Sequence, residues 1–282
     1  MNTNITSQSQ RSPSRRDVIS WVVWLGRFGY AAKSVVYLVI GALAIQVAIG
    51  SGGQTTGPSG ALASIARQSF GQILLGLVAV GLFGYALWRL IQAWIDPENE
   101  GKDVKGIVKR IGYAVSGTIY GFLGVEAVRI VMGSSAGGSG GDQQAKDWTA
   151  KLLAQPFGPW LVAAVGLIII ITGLYQGYRA YSAKFKQKLK LNEMSVTEQT
   201  WAVRSGRLGL AARCVVYVIL GNFLIQAALT SNSEEVGGIG QALRELASQP
   251  YGPWLLGVVA FGLIAYGFFC FILARYRHIF IR

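Results

Sequence analysis

Histidine occurs once in these 282 residues, as His278 near the C-terminus. That excludes a metal site built from clustered histidines and leaves no ready imidazole general base. Cysteine occurs twice, as Cys214 and Cys270, without C-x-x-C spacing. Both fall in apolar runs and read as small fillers rather than a disulfide or a redox pair. Charge is scarce as well, at 14% of residues, where a soluble domain carries about 25%. Acids are the scarcer kind: 13 Asp and Glu stand against 26 Lys and Arg, a net charge of +13. No soluble stretch is long enough to present a basic groove with interleaved aromatics, so the surplus is not a nucleic-acid signature. No small-residue cleavage site follows a short apolar core, so a cleaved signal peptide is not expected.

Apolar residues and glycine fill the chain instead, at 52% and 37 residues. Glycine at this level is tolerated in membrane helices. Runs of about 20 apolar residues are long enough to cross a bilayer. Six spans are predicted, near 28–49, 71–95, 110–132, 158–181, 206–230 and 252–275.

One pattern occurs three times. It reads Gly29-x3-Lys33-x3-Tyr37-x3-Gly41, Gly112-x3-Ser116-x3-Tyr120-x3-Gly124 and Gly209-x3-Arg213-x3-Tyr217-x3-Gly221. A basic residue, Arg27, Arg110 or Arg207, stands two positions before each first glycine. Steps of four stay on one helix face, drifting by about 40° per step. A second element follows each copy: Gln68-Ser69-Phe70-Gly71, Gln155-Pro156-Phe157-Gly158 and Gln249-Pro250-Tyr251-Gly252. The unit is therefore two apolar helices joined by a polar connection, repeated over 18–98, 105–190 and 198–282. Residues 1–17 are polar and are expected to form a disordered tail. The predicted fold is an all-α membrane protein of six transmembrane helices, as three parallel-oriented two-helix repeats in a pseudo-threefold arrangement. The odd helices are placed near its axis.

Twenty-one of the 26 basic residues fall in the two terminal segments and the two connections on their side. The other three connections hold only Arg67, Arg129, Lys146, Lys151 and Arg244. Positive charge marks the cytoplasmic side, so both termini are expected there. In 184–190, lysines alternate with Phe185, Gln187 and Leu189. Read as a helix, Phe185 and Leu189 share a face that lies on an anionic leaflet; read plainly, the lysines only set topology. The three outward connections end in aligned amphipathic stretches, 61–66, 148–153 and 241–246, each suited to a short surface helix.

Several candidate sites remain. Lys33 and Arg213 recur at one depth, just inside the cytoplasmic boundary, below Tyr37 and Tyr217, with Ser116 and Tyr120 in the middle copy. They snorkel to headgroups, or they converge with the tyrosines on a shared anion or anionic lipid. Glu126 lies roughly 10 Å inside the third span, with Arg129 one turn on. It is either a proton or cation site, or structural, as a buried ion pair or a protonated acid bonded to a neighbour. Gly29, Gly41, Gly112, Gly124, Gly209 and Gly221, with the pairs Gly117/Gly121 and Gly173/Gly177, are expected to bring helix backbones together. The G-x-S-x-G at 133–137 sits in a Gly/Ser linker and lacks the strand-to-helix elbow of a nucleophile. The calcium-nonapeptide likeness at 137–142 occurs once and cannot stack. No catalytic constellation, cofactor motif or metal site emerges, so a non-enzymatic protein is expected.

The tandem unit resembles a bacterial membrane family known as domain of unknown function 1206. The resemblance rests on Gly26-Arg27-x-Gly29, on Tyr37-x3-Gly41, on the Gln-Pro-aromatic-Gly element and on the aromatic ends of the even helices. Those ends read Tyr85-Ala86-Leu87-Trp88-Arg89, Leu174-Tyr175-Gln176-Gly177-Tyr178-Arg179 and Tyr266-Gly267-Phe268-Phe269. The middle copy departs, with Ser116 at the basic position and Thr172 at the tyrosine. The resemblance implies the architecture and a bacterial inner membrane, and no activity. Two functions fit: a conduit or carrier for a small solute or ion along a tyrosine-lined path, or a sealed scaffold binding a partner or anionic lipid. A continuous polar line would favour the first and a dry, packed axis the second.

Overall fold

The computed structural model describes residues 15–97, 100–101, 103–133 and 140–277. His278, the Gly/Ser residues 134–139 and most of the expected tail lie outside them. The helices are α1 (Arg15–Ala48), α2 (Pro58–Ala66), α3 (Gly71–Trp94), α4 (Val104–Val131), α5 (Gly140–Leu153), α6 (Gly158–Ser182), α7 (Val196–Thr230), α8 (Ile239–Ser248) and α9 (Gly252–Tyr276). Six of them, α1, α3, α4, α6, α7 and α9, are long and apolar enough to cross a membrane. No strand occurs among the described residues; Leu189 and Arg277 make one isolated antiparallel bridge.

The odd spans (α1, α4 and α7; the even ones are α3, α6 and α9) begin earlier than the apolar runs suggest. Helix α1 starts at Arg15, so the last residues of the expected tail are helical. Helix α4 starts where the Asp103 carboxylate caps the Gly106 amide, at 3.1 Å. Helix α7 starts at a capping box in which the Ser195 hydroxyl accepts from the Glu198 amide while the Glu198 carboxylate accepts from the Ser195 amide. Polar caps end a helix where hydropathy cannot, because they satisfy the orphan amides of its first turn.

The Gln-Pro-aromatic-Gly element makes one tight turn three times. Phe70, Phe157 and Tyr251 take left-handed backbone conformations, with φ of 60°, 62° and 62°. The glycine after each lies so close to the preceding short helix that a Cβ would sit 2.2, 2.4 or 1.9 Å from a carbonyl oxygen. Only glycine fits there, which is why it recurs. The three aromatic rings are exposed, as befits a belt at a membrane surface. The short helices α2, α5 and α8 precede these turns and share one end of the bundle. The basic segments share the other.

The six long helices stand in chain order around a ring. Helix α1 packs on α3, α3 on α4, α6 on α7, α7 on α9, and α9 closes back onto α1. Odd and even helices alternate, and no two odd helices form a packed interface. The three repeats are thus related by a pseudo-threefold axis, but the odd helices do not gather on it. One interface of the ring is missing: α4 and α6, the pair of the middle copy, do not pack together.

The half of the bundle beside the short helices is filled by apolar side chains, among them Ile40, Leu62, Leu75, Leu82, Leu243 and Leu256, none of them measurably exposed. At the basic end, the α6–α7 connection turns under the bundle in a 3-10 helix, Lys184–Lys188. Phe185 and Leu189 point into the core, with Phe185 edge-on to Phe269 at 5.0 Å. They plug this end rather than lie on a leaflet.

Candidate functional site

Between the two plugs lies a cluster of tyrosines around two cations. Lys33 on α1 is 4% exposed, with its ammonium 4.9 to 5.9 Å from the ring centres of Tyr120, Tyr85, Tyr266 and Tyr37. Its Nζ also donates to the Tyr85 hydroxyl at 3.4 Å. Arg213 on α7 lies over Tyr266, Tyr217 and Tyr37 at 4.5, 4.8 and 5.7 Å, and donates to the hydroxyls of Tyr266 and Tyr217. Tyr37 and Tyr266 serve both cations, so Lys33 and Arg213 belong to one centre. Neither snorkels away from it. Arg89 on α3 joins from the basic side, donating to the Tyr85 hydroxyl at 2.6 and 2.9 Å and to Gln92 at 3.1 Å.

The repeat places these groups. Gly29 on α1 and Gly209 on α7 let the backbones of Tyr85 and Tyr266 approach; a Cβ on either glycine would lie 2.5 Å from tyrosine atoms. One turn on, Lys33 and Arg213 then meet those tyrosines' hydroxyls. Each even-helix tyrosine also packs edge-on against the odd-helix tyrosine of the next copy, Tyr85 on Tyr120 at 4.6 Å and Tyr266 on Tyr37 at 4.7 Å. The third such pair would be residue 172 with Tyr217. Thr172 stands there, and Tyr217 has no such ring partner among the described residues.

Electrostatically the centre is one-sided. Among the described residues, no ion pair reaches Lys33 or Arg213. The rings and hydroxyls offset part of the cost of burying them, at about 0.5–2 kcal/mol per desolvated cation–π contact. The remaining cost of two neighbouring cations without an ion pair among the described residues is one that an anion would relieve. Arg213 keeps a donor for one: its Nε is shielded from solvent and has no hydrogen-bond partner. Lys33, Tyr37, Tyr85 and Tyr266, on α1, α3 and α9, are buried, while Tyr120, Arg213 and Tyr217, on α4 and α7, are half-buried.

The other candidates lie elsewhere. Glu126 accepts a 2.7 Å hydrogen bond from Ser59, tying α4 to the short helix α2, and Arg129 is exposed without pairing to it. Of the structural alternatives, the bond to a neighbour is formed and the ion pair with Arg129 is not. Of the glycines, Gly41 meets α9 and Gly221 meets α6 at backbone distance, Gly124 meets the Phe83 ring, and Gly117, Gly173 and Gly177 each face a neighbouring helix at 3.1 Å or less. Gly121 has ordinary room, its nearest neighbour at 3.9 Å, and Gly112 has nothing within 4 Å, so Gly112 is not a packing glycine here. Sequence reading missed Tyr85, Tyr266 and Arg89. Tyr85 and Tyr266 occupy matching places in copies one and three, as Lys33 and Arg213 do, and that match was the available signal.

These features define a multi-pass helical membrane protein with a threefold internal repeat and a buried cation–tyrosine centre. The chain belongs to the family described as Domain of Unknown Function (DUF1206), whose model matches residues 28–96, 111–183 and 208–277. It is 33% identical over 267 residues to the uncharacterized protein YxxB of Bacillus subtilis (strain 168), covering 95% of each chain. No solved structure matches it.

Proposed function

We propose that the protein is a non-enzymatic carrier that binds a small anion within the membrane, between Lys33 and Arg213. The observation that carries this reading is the sharing of Tyr37 and Tyr266 by buried Lys33 and half-buried Arg213, neither of which has an ion pair among the described residues. A carrier suits the packing better than an open conduit. The centre is stopped on one side by the apolar core around Leu62 and Leu243 and on the other by Phe185, so passage needs a rearrangement of helices. The same dry half favours a second reading, a sealed scaffold that holds its anion permanently. The charge distribution supports a bacterial inner-membrane location with both termini in the cytoplasm. Cysteines at Gly52 and Ser233 should then label from outside and one at Asn192 should not.

The test is a titration of inorganic phosphate and sulfate against purified, delipidated protein, followed by thermal unfolding, and counterflow of the same anions in proteoliposomes. Saturable stabilisation is expected, weakened about tenfold or more in Lys33→Gln and in Arg213→Gln. The two losses should be non-additive, because the residues share a partner. Stabilisation that survives in both variants, or is absent from the wild type, sinks the reading. Binding without counterflow selects the scaffold.

A further inference from the structure

Copies one and three show what the missing α4–α6 interface would be. In copy one, Gly81 lies against Ala32, Gly84 against Leu25 and Gly29 against Tyr85; in copy three, Gly262 lies against Ala212 and Gly209 against Tyr266. In the middle copy the matching residues are Ile168, Val115, Ile171, Gly112 and Thr172. The small residues that let two helices meet are replaced by branched ones, and the tyrosine is gone. Ile168, Val115 and Ile171 are 61%, 54% and 56% exposed. The result is a cleft between α4 and α6 whose walls are apolar.

We infer that this cleft admits one chain-bearing ligand from the bilayer, an anionic phospholipid, whose acyl chain lies against Val115, Ile168 and Ile171 and whose phosphate reaches Arg213 and Lys33. The inference rests on the anion reading above and names its substrate class. Three observations converge on it. The walls are aliphatic, as an acyl chain requires. The cationic centre supplies the complementary charge, and Arg213 Nε supplies an unpartnered donor. Around the two cations, the members on α4 and α7, the helices on the cleft side, are half-buried, while Lys33, Tyr37, Tyr85 and Tyr266 on α1, α3 and α9 are buried; Arg89 on α3, also half-buried, lies at the basic end. Thr172 completes the passage: a tyrosine there would pack on Tyr217, as Tyr85 does on Tyr120, and close the way from the cleft to Arg213. By the repeat, Arg213 stands level with Ser116, four residues and roughly 6 Å along the helix from Gly112, so headgroup and cleft share one depth.

The experiment measures lipid retained by the full chain after exchange into vesicles of phosphatidylglycerol or of phosphatidylcholine, by native mass spectrometry, alongside phosphate-dependent thermal stabilisation. The wild type should keep phosphatidylglycerol over phosphatidylcholine by about tenfold or more. Thr172→Tyr should abolish that preference and leave stabilisation by phosphate intact, whereas Arg213→Gln should lose both. Should Thr172→Tyr fail to fold, cysteines replacing Gly112 and Thr172, in a chain with Cys214 and Cys270 replaced by alanine, give the same comparison before and after a short bismaleimide crosslink. Equal retention of the two lipids by a wild type that still responds to phosphate overturns the lipid inference and spares the anion site. Phosphatidylglycerol retention unchanged by Thr172→Tyr and by the crosslink overturns the cleft as its route. Loss of neither response in Arg213→Gln overturns the anion site itself.

Discussion

Gly29 and Gly112 hold the same place in two copies of one repeat, and their surroundings are opposite. A Cβ on Gly29 would collide with Tyr85, while a Cβ on Gly112 would meet nothing within 4 Å. Copies one and three have closed helix pairs, and the middle copy has an open one. The backbone plan is common to all three, so the difference comes from a handful of side chains: Val115, Ile168, Ile171 and Thr172 where the others carry alanine, glycine and tyrosine. A close helix crossing depends on small residues on both faces, and removing several at once removes the interface. Divergence within a repeat protein can thus open one helix pair while the shared backbone plan is kept.

The largest effect expected from breaking this comparison comes from alanine at the first glycine of each copy. Gly29→Ala and Gly209→Ala should each cost about 1–3 kcal/mol, because the methyl group must displace tyrosine backbone. Gly112→Ala should be neutral or stabilising by up to about 1 kcal/mol, since alanine is the better helix former and meets nothing. Thermal unfolding in detergent compares the three; equal losses would mean that the middle pair is closed.

The last glycine of the stripe sharpens the comparison. A Cβ on Gly41 or Gly221 would lie 2.8 or 2.6 Å from a backbone oxygen of α9 or α6, whereas one on Gly124 would meet the movable Phe83 ring at 3.1 Å. Alanine at Gly41 or Gly221 should cost about 1–2 kcal/mol and at Gly124 less than about 1. This interface is formed in all three copies, so the middle copy is open on one side only. A large loss at Gly124 would show it to be as rigid as the others.

The converse experiment rebuilds the missing interface. Val115→Ala, Ile168→Gly, Ile171→Gly and Thr172→Tyr together install the residues of copy one. The glycines themselves cost about 1 kcal/mol each in helix propensity, so the gain should appear as altered access and not as stability. A cysteine at Val108, the exposed match of the Leu25 that meets Gly84 in copy one, should lose most of its reactivity toward a membrane-soluble maleimide in the rebuilt protein. Unchanged reactivity would mean that side-chain size does not hold the cleft open.

The smallest effect lies beneath the cleft. Glu100, in the α3–α4 connection, pairs with Lys109 and with Lys188 of the α6–α7 connection at 3.5 Å, and accepts from Tyr113 at 3.1 Å. It ties the two sides of the opening together. Burial pushes the Glu100 carboxyl upward, but the lysines and Tyr113 outweigh it and hold it below the ordinary carboxylate range. A carboxylate depressed on folding stabilises the folded state above its unfolded pKa, and that contribution fades as pH falls through the lower folded value. The lysines are half-exposed, so the tie is worth less than about 1 kcal/mol. Glu100→Gln should flatten the stability profile only below about pH 5. A change confined to higher pH would assign the effect to another group.

Much of the architecture was legible before any coordinates. Apolar run lengths gave six spans, and the threefold recurrence of Gly-x3-basic-x3-Tyr-x3-Gly gave three parallel hairpins, because span length and helical period are local properties of a chain. The aligned places of Lys33 and Arg213 likewise made their convergence imaginable. What the sequence could not give was the partner of each stripe. Whether an odd helix meets its own even helix, the preceding copy's, or another odd helix depends on side-chain shapes on two surfaces far apart in the chain. Tertiary structure decided that odd and even helices alternate, that Tyr85 and Tyr266 complete the cation centre, and that Phe185 turns inward. It also decided that the branched residues of the middle copy stand apart. Local periodicity determines which faces a helix offers; only packing, where a single methyl group excludes a neighbouring backbone, determines which of them meet.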